Sequence, residues 1–509
     1  MKTHIDNGGI LVNYFSTRNT ALKISSAEAI VKGLSDDGGL FCPESVPKLT
    51  DEDKKFLLNA SYRQRAAFVL GKFLSDFSAE ELSEYSEKAY SSEKFDSDAV
   101  APVHMLEKNL GILELWHGPT CAFKDMALQM LPYLLTASLK KTGENRLASI
   151  LVATSGDTGK AALEGFADVE GTKIAVFYPK DGVSRIQERQ MTTQSGKNVY
   201  VSSVVGNFDD VQSAMKEIFS DEEIRAKASD NGCIFSSANS INWGRAVPQI
   251  AYYVSGYFDL LKNGAINEDD EINVCVPTGN FGNILAAFYA REMGIPIKKF
   301  ICASNANNVL TDFFREGTYD KRRKFHVTAS PAMDILISSN LERLIFNLSG
   351  NDDKLVSEYM SQLKKDGVYT VSPELFGKIS ELFCGGCCDD NETLKTISSV
   401  YSEHKYLLDT HTAVAVNVYN KYTKETGDDT VTLLASTASP FKFADSVLSA
   451  LGVDISSDGE ELLTILAKTT DKKIPKPLAS IFEKEERFLN TANKEQLPDI
   501  VLDFTKGIL

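Results

Sequence analysis

The chain lacks any long apolar run and any excess of positive charge. No stretch approaches the ~18 uninterrupted apolar residues that suggest a membrane-spanning helix, so we expect no transmembrane segment. The formal net charge of −16 argues against a general nucleic-acid-binding protein, because binding to a phosphate backbone needs a basic surface. The first residues, Met1–Gly8, lack the apolar core of a signal peptide. We therefore expect a cytoplasmic protein that binds neither nucleic acid nor membrane.

Cysteine is also scarce, and eight residues in a chain of 509 do not make a disulfide framework. Cys384, Cys387 and Cys388 contain a CxxC spacing, and His404 is the nearby residue that could add a ligand. Structural zinc normally takes four ligands in a more complete pattern. The segment therefore favours a loop between helices with incidental thiols, and we expect no metal site.

A chain of 509 residues is too long for one hydrophobic core, because single cores stop growing near ~250–300 residues. From about residue 110 to 305, short apolar runs alternate with amphipathic helical stretches. The predicted strands are Leu147–Thr154, Lys173–Tyr178, Asn198–Val201, Cys233–Phe235 and Ile272–Val276. This alternation predicts an α/β fold with a parallel sheet covered by helices on both faces.

The flanking regions have a different pattern. Residues 1–95 and about 340–430 are charged and predicted to be mostly helical, and a last short strand, Thr430–Ala435, ends at Ser436. In parallel sheets of this kind, ligands bind beyond the carboxyl ends of the strands. The turns that follow the strands are therefore the places to look for a site.

Two glycine-bearing turns between a strand and a helix are candidate anion sites. Pro277–Asn283 offers unpaired N–H groups at the positive end of a helix dipole, and its glycines allow a phosphate to approach closely. It is neither a P-loop nor a Rossmann motif. Ala153–Gly159 adds hydroxyl groups that can bind a carboxylate. Taken alone, the first turn also fits a tight connection, and Asp157 in the second also fits a structural cap.

Two further segments carry lysines. Lys124 lies between the aromatic Phe123 and a helix-opening aspartate. A lysine that attacks a carbonyl group needs a lowered pKa, which burial supplies, although most lysines are solvated surface residues. In Ser436–Phe443, a hydroxyl group could face a ring nitrogen and Lys442 could meet a phosphate. The same segment also fits a helix cap followed by a surface lysine.

In their order along the chain, these four motifs resemble threonine synthases, which are pyridoxal-5′-phosphate (PLP) enzymes of fold type II, the tryptophan synthase β-like group. His117–Asp125 is similar to the family's PLP-lysine segment, Thr154–Gly159 to its substrate-side loop, and Pro277–Asn283 to its phosphate loop. Further similar stretches are Tyr14–Arg18, Asp37–Phe41, Ser240–Arg245 and Met333–Arg343. The resemblance runs from residue 14 to about 445. It implies two open parallel-sheet α/β domains with the cofactor between them, plus helical N-terminal and C-terminal additions.

The resemblance also implies a domain order and a role for each site residue. The expected domains are an N-terminal domain (1–95), a PLP-binding core (96–345, with a smaller mobile subdomain at about 125–245), a helical insertion (346–430), and a return to the core with a C-terminal tail (431–509). Lys124 would bind PLP as a Schiff base and move protons at Cα and Cβ, and Thr437 would contact the pyridine nitrogen. The cofactor phosphate would lie on Gly279, Asn280, Phe281, Gly282 and Asn283. The substrate carboxylate and the ring edge would contact Thr154, Ser155, Asp157 and Thr158, and the substrate phosphate Lys442, Arg18 or Arg245.

The activity implied by the resemblance is conversion of O-phospho-L-homoserine and water to L-threonine and phosphate, by γ-elimination and β-hydration, in a monomer or homodimer. Ser439 stands where the family commonly has His, and Cys121 where it commonly has Leu. The alternatives are a threonine/serine dehydratase, a cysteine-synthase-like β-replacement enzyme, or a PLP-binding relative that does not make threonine. The N-terminal stretches Ser16–Arg18 and Asp37–Phe41 favour the synthase.

Overall fold

The computed structural model describes residues 12–455 and 459–508. The N-terminal stretch Met1–Gly8, expected from its sequence not to be a signal peptide, lies outside the described residues. Among the helices that are described, none combines the length and the apolar character needed to cross a membrane.

The N-terminal region packs four helices beside a small antiparallel sheet of order β2-β1-β3. Its elements are β1 (Tyr14–Ser16), β2 (Asn19–Ile24), α1 (Ser26–Lys32), β3 (Phe41–Pro43), α2 (Asp51–Asn59), α3 (Tyr62–Phe73) and α4 (Ala79–Ala89). Each helix begins with a Ser or Thr in a capping box, at Ser25, Thr50, Ser61 and Ser78. Because these side chains satisfy N–H groups that would otherwise lack partners, they fix where the helices start. The region is therefore mostly helical, as predicted, with three short strands that the sequence did not indicate.

The next part of the chain contributes its first two strands to the larger of two parallel sheets and most strands of the smaller one. Its elements are β4 (Val103–Glu107), β5 (Leu110–Glu114), α5 (Asp125–Leu128), α6 (Leu131–Thr142), β6 (Leu147–Ala153), α7 (Asp157–Phe166), β7 (Thr172–Pro179), α8 (Arg185–Thr192), β8 (Val199–Val205), α9 (Phe208–Ser220), α10 (Glu222–Asp230), β9 (Cys233–Ser236) and α11 (Trp243–Lys262). The strand order of the smaller sheet is β16-β8-β7-β6-β9, in which β16 (Thr491–Asn493) comes from near the end of the chain, and every pair is parallel. All residues of β6 and β7 except Leu147 and Lys173 are buried, as expected for strands covered on both faces.

The larger sheet draws strands from a wider span of the chain. The elements that follow α11 are β10 (Ile272–Pro277), α12 (Gly282–Met293), β11 (Ile297–Ser304), α13 (Val309–Glu316), β12 (Thr318–Asp320), α14 (Leu341–Leu348), α15 (Asp353–Lys365), β13 (Val368–Thr370), α16 (Pro373–Leu382), β14 (Phe383–Cys387), α17 (Asp390–His404), α18 (Thr410–Thr426) and β15 (Thr432–Ser436). The order is β14-β11-β10-β15-β5-β4, parallel except for the antiparallel edge pair β4–β5. The two sheets confirm the predicted α/β architecture.

The segment Phe383–Cys387, which contains the CxxC spacing, is strand β14 rather than the loop that the sequence suggested. Its two glycines pack closely, since a Cβ on Gly385 would lie 2.7 Å from Thr311 Cα and one on Gly386 would lie 2.5 Å from a Val418 methyl group. Residues 346–430, expected to be a helical insertion, thus also supply an edge strand to the larger sheet. The thiols of Cys384, Cys387 and Cys388 are free.

The C-terminal part of the chain returns first to the larger sheet and then to the smaller one. Its elements are α19 (Ala444–Ala450), α20 (Glu460–Thr470), α21 (Lys476–Ala479), β16 (Thr491–Asn493) and α22 (Leu497–Lys506). Helices α19 and α20 pack in one apolar cluster with α18. Strand β16 pairs with β8, and α22 buries Val501 and Phe504 in the cluster that covers one face of the smaller sheet. The chain therefore crosses from one sheet to the other between α20 and β16.

Candidate functional site

Three loops that follow strands meet at one edge of the larger sheet. The neighbouring strands β10, β15 and β5 run parallel, so their carboxyl ends lie together. The loop after β5, which carries Lys124, is hydrogen-bonded to the loop after β15: Phe123 N–H donates to Thr437 O at 2.8 Å and Ser439 N–H donates to Cys121 O at 3.0 Å. The structure thus brings the lysine segment and the Thr437 segment into direct contact.

Lys124 faces a carboxylate from the smaller sheet. Its Nζ lies 3.6 Å from Oδ2 of Asp157, which begins α7 after β6. The other oxygen, Oδ1, lies 2.8 Å from Lys442 Nζ, which also donates to Thr120 O at 2.9 Å. The side chains of Lys124, Asp157 and Lys442 are 11%, 4% and 0% exposed. One carboxylate therefore stands between two lysines in a largely dehydrated site.

Burial and charge shift the pKa values of this cluster in opposite directions. Burial lowers the pKa of Lys124, and the positive charges of Arg245 and Lys442 lower it further, against the attraction of Asp157. For Asp157, burial alone would raise the pKa, but the attraction of Lys442 and Lys124 brings it well below its usual value. Asp157 is consequently ionised at neutral pH, and the Lys124 amine loses its proton more readily than a surface lysine does.

Helix α8 adds two buried glutamines to the same cluster. Gln187 Nε2 donates to Asp157 Oδ1 at 2.9 Å, and Gln190 Nε2 lies 3.4 Å from Thr120 O. Both side chains are buried. Neither glutamine is among the site residues predicted from the sequence. The available signal was a capping serine followed by two glutamines spaced i and i+3, which places amides on one face of a helix.

The turn before α12 offers an uncapped helix N-terminus. Phe281 occupies the N-cap position with φ of 65° and provides no side-chain cap. A Cβ on Gly279 would lie 2.8 Å from Ala332 O, so a residue with a side chain does not fit there. Asn283 Oδ1 accepts from Tyr252 at 2.8 Å, while its Nδ2 is buried with no partner in the described part of the chain. Free N–H groups at a helix start form an anion site.

The segment 338–340 supports this turn from behind. Ser338 Oγ donates to Gly279 O at 2.7 Å and Asn340 Nδ2 donates to Asn280 O at 2.8 Å. The carbonyl groups of the turn are thereby occupied, which leaves N–H groups as the free polar groups of Gly282 and its neighbours. The residues present thus fit a phosphorylated aldehyde cofactor, with a largely buried lysine for the aldehyde and a helix N-terminus for the phosphate.

The remaining predicted residues lie in different surroundings. Thr154 Oγ1 accepts from the N–H groups of Gly156 and Gly159, so this hydroxyl shapes its own loop. The half-buried Ser155 and Thr158 have no side-chain hydrogen bond to other described residues, and neither has the buried Thr437. Their hydroxyl groups are therefore free to meet a ligand.

The three candidate cations for a substrate phosphate also differ. Arg245 is buried; its Nη1 donates to Ala238 O, but its Nε has no partner within residues 12–455 and 459–508. Burial lowers the pKa of Arg245 to about 10. Arg18 is committed to Glu342, with Nε and Nη2 at 2.9 and 2.8 Å from the two carboxylate oxygens. Lys442 is committed to Asp157, so it is not the surface lysine that one interpretation of its segment suggested.

Three family descriptions match successive parts of the chain. "Threonine synthase N terminus" matches residues 13–90, "Pyridoxal-phosphate dependent enzyme" matches residues 102–372, and "Threonine synthase, C-terminal" matches residues 412–501. The second match covers more than half of the chain. Fold and site together therefore define a PLP-dependent enzyme of fold type II, with PLP as its cofactor.

Relatives that match over most of their own length show to which family of PLP-dependent enzymes the chain belongs. Threonine synthase from Schizosaccharomyces pombe is 37% identical over 469 residues, which cover 86% of this chain and 89% of that protein. The crystal structure of PLP-bound threonine synthase from Brucella melitensis superposes with a TM-score of 0.86 and 35% identity, covering 97% of this chain and all of that one. Threonine synthase from yeast gives a TM-score of 0.85 and 33% identity, covering 98% of this chain and 99% of that one. The chain belongs to the threonine synthase family.

A second group of relatives is longer than this chain. Human "Threonine synthase-like 1" is 42% identical over 437 residues, which cover 84% of this chain but only 58% of that protein. The chain thus spans less than two thirds of the length of these relatives.

Proposed function

We propose that the chain is a threonine synthase, a carbon–oxygen lyase that converts O-phospho-L-homoserine and water into L-threonine and phosphate. The observation that supports this most directly is the position of Lys124, whose buried amine faces Asp157 where the loops of both sheets meet. Full-length similarity to threonine synthases over both sheets and the N-terminal region supports the choice of reaction.

The cofactor would be bound by residues from four loops. Lys124 would bind the aldehyde carbon, Thr437 the pyridine nitrogen, and Asp157 the ring edge. The phosphate would contact the turn made of Gly279, Asn280, Phe281, Gly282 and Asn283, whose support by Ser338 and Asn340 leaves N–H groups to donate. When bound, PLP supplies an electron sink for the bonds at the substrate Cα.

Lys124 is the group that would move protons. Across the reaction, Cγ loses phosphate and gains a hydrogen, while Cβ exchanges one hydrogen for the hydroxyl group of water. A single mobile amine can reach the adjacent carbons Cα and Cβ in turn. Its lowered pKa supports this role, because a neutral amine is needed to accept a proton near neutral pH.

The substrate's two anionic groups need separate partners. Ser155 and Thr158, with free hydroxyl groups at the start of α7, are suited to the carboxylate. For the phosphate, Arg245 is a better candidate than Arg18 or Lys442, because its Nε lacks a partner among the described residues while the other two already pair with carboxylates. A cation there would stabilise the charge that develops on the leaving phosphate.

Borohydride reduction followed by peptide mapping tests the lysine assignment. Reduction should fix the cofactor on the peptide that contains Lys124, and Lys124→Ala should lose both this adduct and the visible absorbance band of the lysine-bound cofactor, together with all turnover. Lys160→Ala is the matched control, because Lys160 is another buried lysine but pairs with Glu164. If the band survives dialysis in Lys124→Ala, the assignment is wrong.

A second candidate is a threonine-synthase-like protein with a different activity. It is favoured by the higher identity to "Threonine synthase-like 1" than to the fungal synthase, 42% against 37%. Phosphate and threonine formed from O-phospho-L-homoserine should be measured beside ammonia and 2-oxobutyrate formed from threonine. The second assay also tests whether the protein is a threonine dehydratase. Phosphate release in equal amount with threonine supports the synthase. Phosphate without threonine, or 2-oxobutyrate as the main product, contradicts it.

A further inference from the structure

The two oxygens of the Asp157 carboxylate have unequal surroundings. Oδ1 receives Lys442 Nζ at 2.8 Å and Gln187 Nε2 at 2.9 Å, whereas Oδ2 has Lys124 Nζ at 3.6 Å, beyond a normal hydrogen-bond distance. A carboxylate turned toward both lysines would bond the Lys124 amine directly. The observed orientation keeps the negative charge close to Lys124 without a short hydrogen bond between the Asp157 carboxylate and the amine.

Gln187 is itself fixed at both ends of its amide. Its Oε1 accepts the backbone N–H of Ser184 at 3.1 Å, while Ser184 Oγ accepts the backbone N–H of Gln187 at 3.2 Å. This capping box at the start of α8 uses the amide oxygen, so the amide nitrogen must point to Asp157. The capping box that starts α8 thus also orients the Nε2 donor of Gln187 toward Asp157.

The chain also leaves space for this contact at Gly156. This glycine has φ of +132°, and a Cβ there would lie 2.5 Å from Gln187 Cδ. Only glycine therefore fits at position 156 while the Gln187 side chain keeps its present position. Buried at 2% exposure, the Gln187 side chain has no freedom to turn elsewhere.

We propose that Gln187 is a positioning residue, which orients the Asp157 carboxylate so that one oxygen binds Lys442 and the other faces Lys124 without bonding it. Gln187 acts through Asp157 on the protonation and freedom of the lysine. The proposal rests on the assignment of Lys124 to the cofactor, which the borohydride experiment tests separately.

Gln187→Glu is the sharpest variant, because glutamate keeps the length of the side chain and the capping box while replacing the donor by a second carboxylate. The charged groups that act on Lys124 are Asp157, Lys442 and Arg245. A new negative charge beside Asp157 should therefore favour the protonated form of the lysine-bound cofactor. We expect its visible absorbance titration to move to higher pH by roughly one unit or more.

Gln194→Glu is the matched control. Gln194 is also a buried glutamine, just beyond the end of α8, but it accepts from Lys160 and has no bond to Asp157. Because the charge of a glutamate at position 187 acts on Lys124 whether or not Gln187 positions Asp157, the neutral Gln187→Met is measured beside it. Gln187→Met lacks the donor, so Asp157 should turn toward Lys124 and the titration should again move to higher pH. No shift in Gln187→Met, or an equal shift in Gln194→Glu, would overturn the proposal.

A second measurement, which does not need the cofactor, applies if the Gln187→Glu protein binds the cofactor poorly. In the full-length apoprotein, the rate at which acetic anhydride labels Lys124 can be followed by mass spectrometry as a function of pH. The midpoint for Lys124 should move to higher pH in Gln187→Glu and stay unchanged in Gln194→Glu. An unchanged midpoint in both variants contradicts the proposal even if the borohydride experiment has identified Lys124.

Discussion

At the scale of single residues, His117 stands out because both of its ring nitrogens face carboxylates. Nδ1 lies 2.6 Å from Asp96 Oδ1 and Nε2 lies 2.9 Å from Glu114 Oε2. Burial alone would lower the pKa of His117, but the two hydrogen bonds raise it to about 9. The ring is therefore a cation at neutral pH, seven residues before Lys124 on the same loop.

The protonated ring should stabilise the fold in a defined pH range. Because the folded pKa is above the ordinary value of 6.5, the stabilisation is complete below pH 6.5 and is lost as the pH rises through 9. We expect His117→Gln to cost about 2–3 kcal/mol at pH 6 and much less near pH 10. Melting temperatures of both proteins across this range measure it, with the exposed His326→Gln as control. A cost that does not change with pH would contradict the assignment.

Single residues also show which features of the candidate site the sequence alone does not predict. Lys124 is predicted to bind the cofactor because its segment resembles a family motif, although nothing in its local composition distinguishes it from a surface lysine. Lys442 was expected to be available for a phosphate, whereas its amine is paired with Asp157. That ion pair joins two segments far apart in sequence and on different sheets, so neither segment alone indicates it.

At the scale of elements, the close contact between the start of α7 and helix α8 depends on Gly156. Alanine there would combine a strained backbone with a Cβ 2.5 Å from Gln187 Cδ. We expect Gly156→Ala to cost about 2–4 kcal/mol and to weaken cofactor binding, because α7 and Asp157 would shift.

Gly143→Ala is the matched control for this element. Gly143 also has a positive φ, +71°, but a Cβ there meets nothing within 4 Å. Its substitution should cost about 1–2 kcal/mol and leave the absorbance of the bound cofactor intact. Thermal unfolding and cofactor titration measure both effects. Equal losses in the two variants would show that packing against α8 is unimportant.

Apolar patterning predicted most strands of the smaller sheet but missed several strands of the larger one, including the interior strands β5 and β11. Strands β6, β7, β8, β9 and β10 coincide with the predicted runs because buried parallel strands are almost continuously apolar. Strand β14 was missed because it contains Gly385 and Gly386, which intrinsic preferences exclude from strands. They are favoured here by the close approach of Thr311 and Val418, which is a tertiary effect.

At the scale of the whole molecule, the C-terminal segment is part of the smaller sheet. Phe504 of α22 is 2% exposed, its ring lies 5.9 Å from that of Tyr200, and Arg189 donates to the carbonyl groups of Phe482 and Lys484. The sequence did not indicate this arrangement, since β16 is a short polar strand, Thr491–Asn493, without a pattern of its own.

Phe504→Ala should therefore destabilise the smaller sheet selectively. Loss of a buried phenylalanine costs about 3–5 kcal/mol, whereas Ile508→Ala, at a side chain 66% exposed, should change stability by less than about 0.5 kcal/mol. Hydrogen exchange should become faster in β7 and β8 and stay unchanged in β10. Uniform acceleration in both sheets would show that the two sheets unfold together.

The order of strands in the larger sheet has a consequence for synthesis on the ribosome. Strand β15 lies between β10 and β5, and Trp116 Nε1 bonds Ser436 Oγ across 320 residues. Strand β5, which precedes the lysine loop, therefore leaves the ribosome long before its neighbour β15 has been synthesised. The apolar edge of β5 stays unpaired until then. Contacts so distant in sequence form slowly, and an unpaired hydrophobic edge is prone to aggregate. The nascent chain is thus expected to need chaperone protection until the residues of β15 have left the ribosome, and only then can the cofactor be captured.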